Sequence, residues 1–333
     1  MRKWQMLIAA VFLFAALFVP FLVSTDYTLQ ILFRVFLFAA LGLAWNLVGG
    51  YAGQLSLGHA AYFGVGAYGL ALFSKLGISP WASVFLGVVL AMISAAMIGL
   101  VSFRLRGPYF ALCTIAFAEV LRLVAKNLPN VTGGDVGIQV PLLFTHSTIR
   151  SFYYAGVLLT AFAFALSAWI ERSRFGYYLM AIREDQDTAL SVGVNATHCK
   201  LWALVISAAI TGLGGALYAS MFLFIVPDQV LAMDISTEIA IVAMLGGAGS
   251  LLGPLLGSVI LESSSEIFKN VFKEANLLIY GVLIVVVVLF MPEGLVGAIT
   301  RKLSLFKKAP SAPFATSTPA TAEEESERVA LNK

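Results

Sequence analysis

Runs of about 20 largely apolar residues recur along this chain of 333 residues, with few charges between them. A bilayer hydrocarbon core of ~30 Å needs roughly that length per helix. Such segments read at 6–23, 29–48, 57–74, 81–102, 108–125, 152–170, 201–222, 236–250, 253–268 and 276–291. The pair 236–250 and 253–268 is short and separated by Gly-rich sequence, so two tilted helices or one re-entrant pair both fit. Charged residues make up 12% of the chain, about half the ~25% of a soluble domain, and mean hydropathy is +0.91. That is too little charge to coat a soluble core. A soluble enzyme, a disordered protein and a secreted scaffold are excluded, and Cys113 and Cys199 make no disulfide or zinc framework. The expected fold is an all-α polytopic membrane bundle, with about 8–10 transmembrane segments and some short or broken helices.

Lys and Arg placement predicts orientation. With the N-terminus inside, Arg2, Lys3, Arg104, Arg106, Arg172, Arg174, Arg183, Lys200, Arg301, Lys302, Lys307 and Lys308 fall inside. Lys75, Lys126, Arg150, Lys269 and Lys273 fall outside, so twelve cations oppose five. Both termini are expected in the cytoplasm. The first segment is longer than a signal-peptide core and Pro20-Phe21-Leu22-Val23 is no small-residue cleavage site, so an uncleaved anchor is expected. A transmembrane domain over 1–308 and a disordered cytoplasmic tail over 309–333 follow. The tail is rich in Pro, Ser, Thr and Ala, then acidic at Glu323, Glu324, Glu325 and Glu327.

One inside connection, 171–200, is long, charged and without an apolar run. Tyr178, Leu179, Ile182, Ala189, Leu190 and Val192 recur among charges at roughly helical spacing, which predicts a short amphipathic helix with Gly193 at its end. Such a helix can lie on the membrane, act as a solvated connector, or dock a cytoplasmic partner.

The residues of this loop carry a resemblance. Asp187-Thr188-Ala189-Leu190-Ser191-Val192-Gly193 resembles the EAA loop of ATP-binding-cassette (ABC) importer permeases, with Asp for Glu and Thr for Ala at its first two positions. Ala181-Ile182-Arg183-Glu184-Asp185 resembles a run in the branched-chain amino acid permeases of the LivM type. Further blocks agree in order: Gly50 to Gly64, Leu105 to Ala111, Phe117-Ala118-Glu119, Thr132-Gly133-Gly134, Gly246 to Pro254, and Pro292-Glu293-Gly294-Leu295. Together they span about residues 46–297. The resemblance implies a permease subunit of an ATP-driven importer in a bacterial inner membrane. It implies a second homologous permease, two cytoplasmic ABC ATPases and an extracytoplasmic binding protein. Arg183, Glu184, Asp185, Asp187, Ala189 and Gly193 are the implied coupling residues: the charged ones to pair with the ATPase, the small ones to allow close docking. Substrates in such systems include branched-chain amino acids, urea or other amides, and aromatic acids.

No Gly-Lys pair occurs, so the chain has no P-loop of its own. ATP and Mg are expected on the partner subunits, with no cofactor in this chain and no enzyme activity of its own. Gly64-Val65-Gly66-Ala67-Tyr68-Gly69 fits GxGxxG but lacks the βαβ context that dinucleotide binding needs. His59, His146 and His198 are scattered, which argues against a zinc site. A stand-alone secondary transporter or channel needs buried carboxylates or a polar pore, and an intramembrane enzyme needs a catalytic pair; neither pattern stands out.

Gln54, Ser56 and His59 stand in a glycine-rich stretch at membrane depth, where polar groups must face protein or water. They read as pathway-lining candidates on a broken helix. Ser56, Ala60 and Gly64, spaced four apart, also fit close helix packing. Glu119 is a further pathway candidate, although its i, i+3 spacing to Arg122 fits a structural ion pair. Gly249, Gly253 and Gly257 predict a packing face or a kinked turn. Arg34, near the outer end of its segment, can snorkel, and Glu238 and Glu262 fall where they can flank the outer surface of the short-helix region, with their role open.

Overall fold

The computed structural model describes residues 2–22, 25–105, 107–144 and 149–272, with Gly281 and Gly294. The segment 276–291, the cations Arg301 to Lys308, the tail 309–333, Arg106 and His146 lie outside the described residues, as does the closing motif apart from Gly294.

The apolar segments fold as helices: α1 (Arg2–Leu22), α2 (Asp26–Asn46), α3 (His59–Lys75), α4 (Pro80–Ser102) and α5 (Pro108–Lys126). A single turn, α6 (Pro129–Thr132), precedes α7 (Ile149–Arg172), and the loop helices are α8 (Arg174–Glu184) and α9 (Gln186–Ser191). Then come α10 (Ala196–Phe222), the turn α11 (Pro227–Val230), α12 (Met233–Gly246) and α13 (Gly253–Phe272). Pro80 and Pro108 sit in the first turns of α4 and α5, where the missing N–H costs nothing. Among the described residues, six helical stretches are long and apolar enough to cross a membrane by length and composition. They are Asp26–Tyr51, Pro80–Ser102, Pro108–Lys126, Ile149–Arg172, Ala196–Phe222 and Pro227–Gly246.

Helix α2 is apolar on all sides from Val35 to Trp45 and forms the core, packing against α7, α10, α12 and α13. Within its most apolar window 83% of residues are buried, against 28% for α4. Phe85, Met97 and Leu100 of α4 are exposed apolar side chains, as lipid contact requires. Helices α3, α4 and α10 pack together through backbone contact. A Cβ on Gly66 would strike the Gly212 carbonyl, and one on Gly215 the Phe63 carbonyl.

The pair left open by the sequence is an α12–α13 hairpin, whose helices pack on each other across a turn at 247–252. Both glycine readings hold there: Gly249 stands in the turn with φ +84°, and Gly257 lies against the Val242 carbonyl. The outcome for 171–200 differs from a single amphipathic helix. Two helices meet at Asp185, whose extended backbone (φ −156°, ψ 117°) breaks the run. A short ribbon also forms where no strand is expected: β1 (Ile138–Gln139) pairs antiparallel with β2 (Phe224–Ile225).

Replacing Gly66 with Val should force α3 from α10, at a cost of about 1–3 kcal/mol or more. A thermal unfolding scan in detergent should show a lower midpoint for Gly66→Val and no change for Met97→Val on the exposed face of α4.

Candidate functional site: the 171–200 loop and the broken helix

The loop is built rigidly from local bonds. The Ser173 hydroxyl starts α8 by accepting the Gly176 N–H at 3.2 Å and donating to the Ile170 carbonyl at 2.7 Å. Leu179 and Ile182 turn inward, while Tyr177, Tyr178 and Glu184 stay exposed. Asp185 caps α9 by accepting the Thr188 N–H at 2.6 Å. That backbone bond, with the Thr188 hydroxyl, holds the Asp185 carboxyl below the usual carboxylate range. At the other end Gly193 donates to Leu190 and Val194 to Ala189, both at 3.0 Å. This is a Schellman cap, with Gly193 at φ +90° in the left-handed region where a side chain is strained. The Asn195 side chain then starts α10 by accepting the His198 N–H at 3.0 Å. Ile182, Ala189 and Ala196 pack into a small buried cluster with Val194 and Cys199. Lys200, also buried, donates to Gln186 at 2.6 Å.

The candidate coupling residues therefore face different ways. Glu184, Asp185, Asp187 and Gly193 are exposed, whereas Ala189 is buried inside the loop's own cluster. Tyr178, Val192, Gly193, Val194, Asn195, His198 and Cys199 line a surface hollow of about 490 Å³. Arg183 reaches back into its own chain: Nη1 donates to the Gly50 carbonyl at 2.8 Å, and the guanidinium lies against Gly249.

Gly50 belongs to the π-helical turn that ends the apolar stretch Asp26–Tyr51. After α2 the chain winds into a π-helical turn, Leu47–Tyr51, then runs non-helically to Gly58. Trp45 Nε1 donates to the Ser56 carbonyl at 2.7 Å. Thr114 Oγ1 accepts the Leu57 N–H at 3.2 Å, and Ser236 Oγ accepts the Ala60 N–H at 2.7 Å. His59 is fully buried, with Nδ1 3.2 Å from Ser56 Oγ and Nε2 2.8 Å from Ser207 Oγ. Asn46 clasps the α12–α13 turn, accepting the Gly249 N–H at 2.7 Å and donating to the Ser250 carbonyl at 3.0 Å. Ser56 and His59 thus share one buried network, and Gln54 lies half-buried beside it.

Glu119 stands apart from that network. Arg122 Nε donates to Glu119 at 2.9 Å and the same guanidinium pairs with Asp228. Lys126 joins Asp228 at 2.8 Å and Asp135 at 3.2 Å, so the couple extends into a network linking α5 to α11. Asn46, Thr114, Ser207 and Ser236 have no motif that marks them in the sequence. Their one signal is a lone hydrogen-bonding side chain in an apolar run.

The family described as branched-chain amino acid transport system / permease component matches residues 27–288. The chain belongs to this family. It is similar to the high-affinity branched-chain amino acid transport system permease protein LivM of Salmonella typhimurium, 30% identical over 315 residues, covering 86% of this chain and 73% of that one. The corresponding permease protein LivH of Escherichia coli strain K12 is 26% identical, covering 78% and 91%. BraD of Pseudomonas aeruginosa is 24% identical over 78% and 91%. No solved structure matches the chain. The permease family and the apolar helices together make this an integral membrane protein.

Two tests of the loop follow. Gly193→Val should cost about 1–3 kcal/mol locally through left-handed strain, read as faster amide exchange across α9. Because the folded Asp185 pKa lies below its unfolded value, its cap stabilises above the ordinary aspartate range of about 4. It is lost as pH falls through the folded pKa, so α9 amide protection, corrected for intrinsic exchange, should drop there in the parent and be pH-independent in Asp185→Ala.

Proposed function

We propose that this chain is the membrane-spanning permease subunit of an ATP-driven ABC importer for branched-chain or related amino acids. The observation that carries the proposal is the doubly capped loop fastened by Arg183 to the broken membrane helix. A loop that transmits force must not bend, and this one is fixed at both ends of α9 and by its buried cluster. Its exposed apolar side chains and hollow suit a partner surface, and Arg183 joins it to the membrane segment. The amino acid substrate is argued from relatives named for branched-chain amino acid transport.

The partners in this reading are a second homologous permease, two cytoplasmic ATPases and a substrate-binding protein on the far side. Relatives named LivM and LivH are both permease proteins, which supports a pair of unlike permeases. With no Gly-Lys pair for a P-loop, ATP and Mg belong to the ATPases. Closure of the ATPase dimer moves α8 and α9, and Arg183 pulls on the Gly50 turn. Gln54, Ser56 and His59 at the break then change their exposure to the pathway. The chain sits in the bacterial inner membrane with both termini cytoplasmic, which puts 171–200 on the ATPase side.

The assembled complex in vesicles provides the test. Arg183→Ala and Gly193→Val should leave ATP hydrolysis running while amino acid uptake falls at least about tenfold, equivalent to ~1.4 kcal/mol. Unchanged uptake per ATP in both variants would contradict the proposal.

A further inference from the structure

Arg34, Glu238 and Glu262, far apart in sequence, come together as one charged trio. Arg34 lies eight residues into α2, about 12 Å along the helix from its start. Its Nη2 stands 3.3 Å from Glu262 Oε2 on α13 and 3.7 Å from Glu238 Oε1 on α12. Two carboxylates thus face one guanidinium, with Glu266 also within electrostatic range of it. The Glu262 side chain is 4% exposed, yet its Oε1 is buried without a hydrogen-bond partner, and so is Arg34 Nε. An unpaired acceptor and an unpaired donor are therefore held by two residues in contact.

Stability does not explain this arrangement. A buried ion pair is often no better than apolar side chains of the same volume, and each unpaired buried polar atom adds a cost. Ionisable residues at membrane depth point first to a functional site. The surroundings add a second character. Tyr218 lies within electrostatic range of all three charges. Its ring is 4.5 Å from Phe222 and 5.4 Å from Phe63, and Phe38 lies 6.0 Å from the guanidinium. Arg34 and Glu238 are each about a quarter exposed (28% and 23%), on the side where Phe38 and Tyr218 stand near the charges.

We propose that Arg34, Glu262 and Glu238 form an intramembrane recognition site for a zwitterion, the α-ammonium and α-carboxylate of an apolar amino acid. The ammonium meets the negative charge of Glu238 and Glu262, the carboxylate meets the exposed part of the Arg34 guanidinium, and the apolar side chain lies on the Tyr218 and Phe222 rings. This rests on the permease reading and gives it a substrate contact.

The test compares the parent complex in vesicles with the paired change Arg34→Met and Glu262→Leu made together with Glu238→Gln, which removes all three charges and keeps the volume. Leucine uptake, melting temperature and cross-linking by a diazirine analogue of leucine are measured. The site predicts a triple variant that melts at or above the parent temperature, with uptake down at least about tenfold and cross-links to α2 and α13 lost. Parent-level uptake in that variant would overturn the site while leaving the permease reading intact. A parent complex that moves no amino acid would overturn both. If the triple variant fails to fold, Glu262→Gln decides: it keeps the shape and removes the charge, and undiminished uptake would overturn the site.

Discussion

A chain that leaves a helix among packed helices carries peptide groups without helical partners, and each buried one must find a partner within the protein. Residues 52–58 pose that problem here. Trp45, Thr114 and Ser236, from three different helices, hydrogen-bond the backbone of the break and the first turn of α3. Asn46 and Arg183 do the same for the turn before it and for the glycine turn of the α12–α13 hairpin. The break is therefore a joint, with the surrounding helices positioned to satisfy it.

This joint makes one mechanical unit of parts far apart in sequence. Arg183 links α8 to the end of α2, and Asn46 links the end of α2 to the turn between α12 and α13. The same three membrane helices carry Arg34, Glu238 and Glu262 farther along. Hydrogen bonds and helices thus join the loop to the charged trio. A guanidinium on a helix-terminal carbonyl suits such a link, because the charge also meets the negative end of the helix dipole.

Much of the fold is legible in the sequence, because a membrane span needs a run of apolar residues and a loop outside it does not. The ordered loop, its end at Gly193 and the helix break after Gly50 all follow from composition and glycine placement. The split at Asp185 does not. Its cap depends on one hydrogen bond to Thr188, which competes with continuing a helix whose apolar spacing runs straight through. Arg183 reads as a surface charge because its partner, the Gly50 carbonyl, is a backbone group and leaves no mark in the sequence. Arg34 reads as a snorkelling residue because its carboxylate partners lie some 200 positions away, on helices whose packing the local pattern does not encode.

In the proposed mechanism the loop and the turn after α2 move as one body, held by Arg183 on the Gly50 carbonyl. Spin labels at the exposed positions Tyr177 and Leu55, in the assembled complex with Cys113 and Cys199 replaced, measure it directly. The interlabel distance should stay constant from the ATP-free to the ATP-bound state. A distance that widens or broadens on ATP binding would show that α8 slides past the break, and would contradict that mechanism.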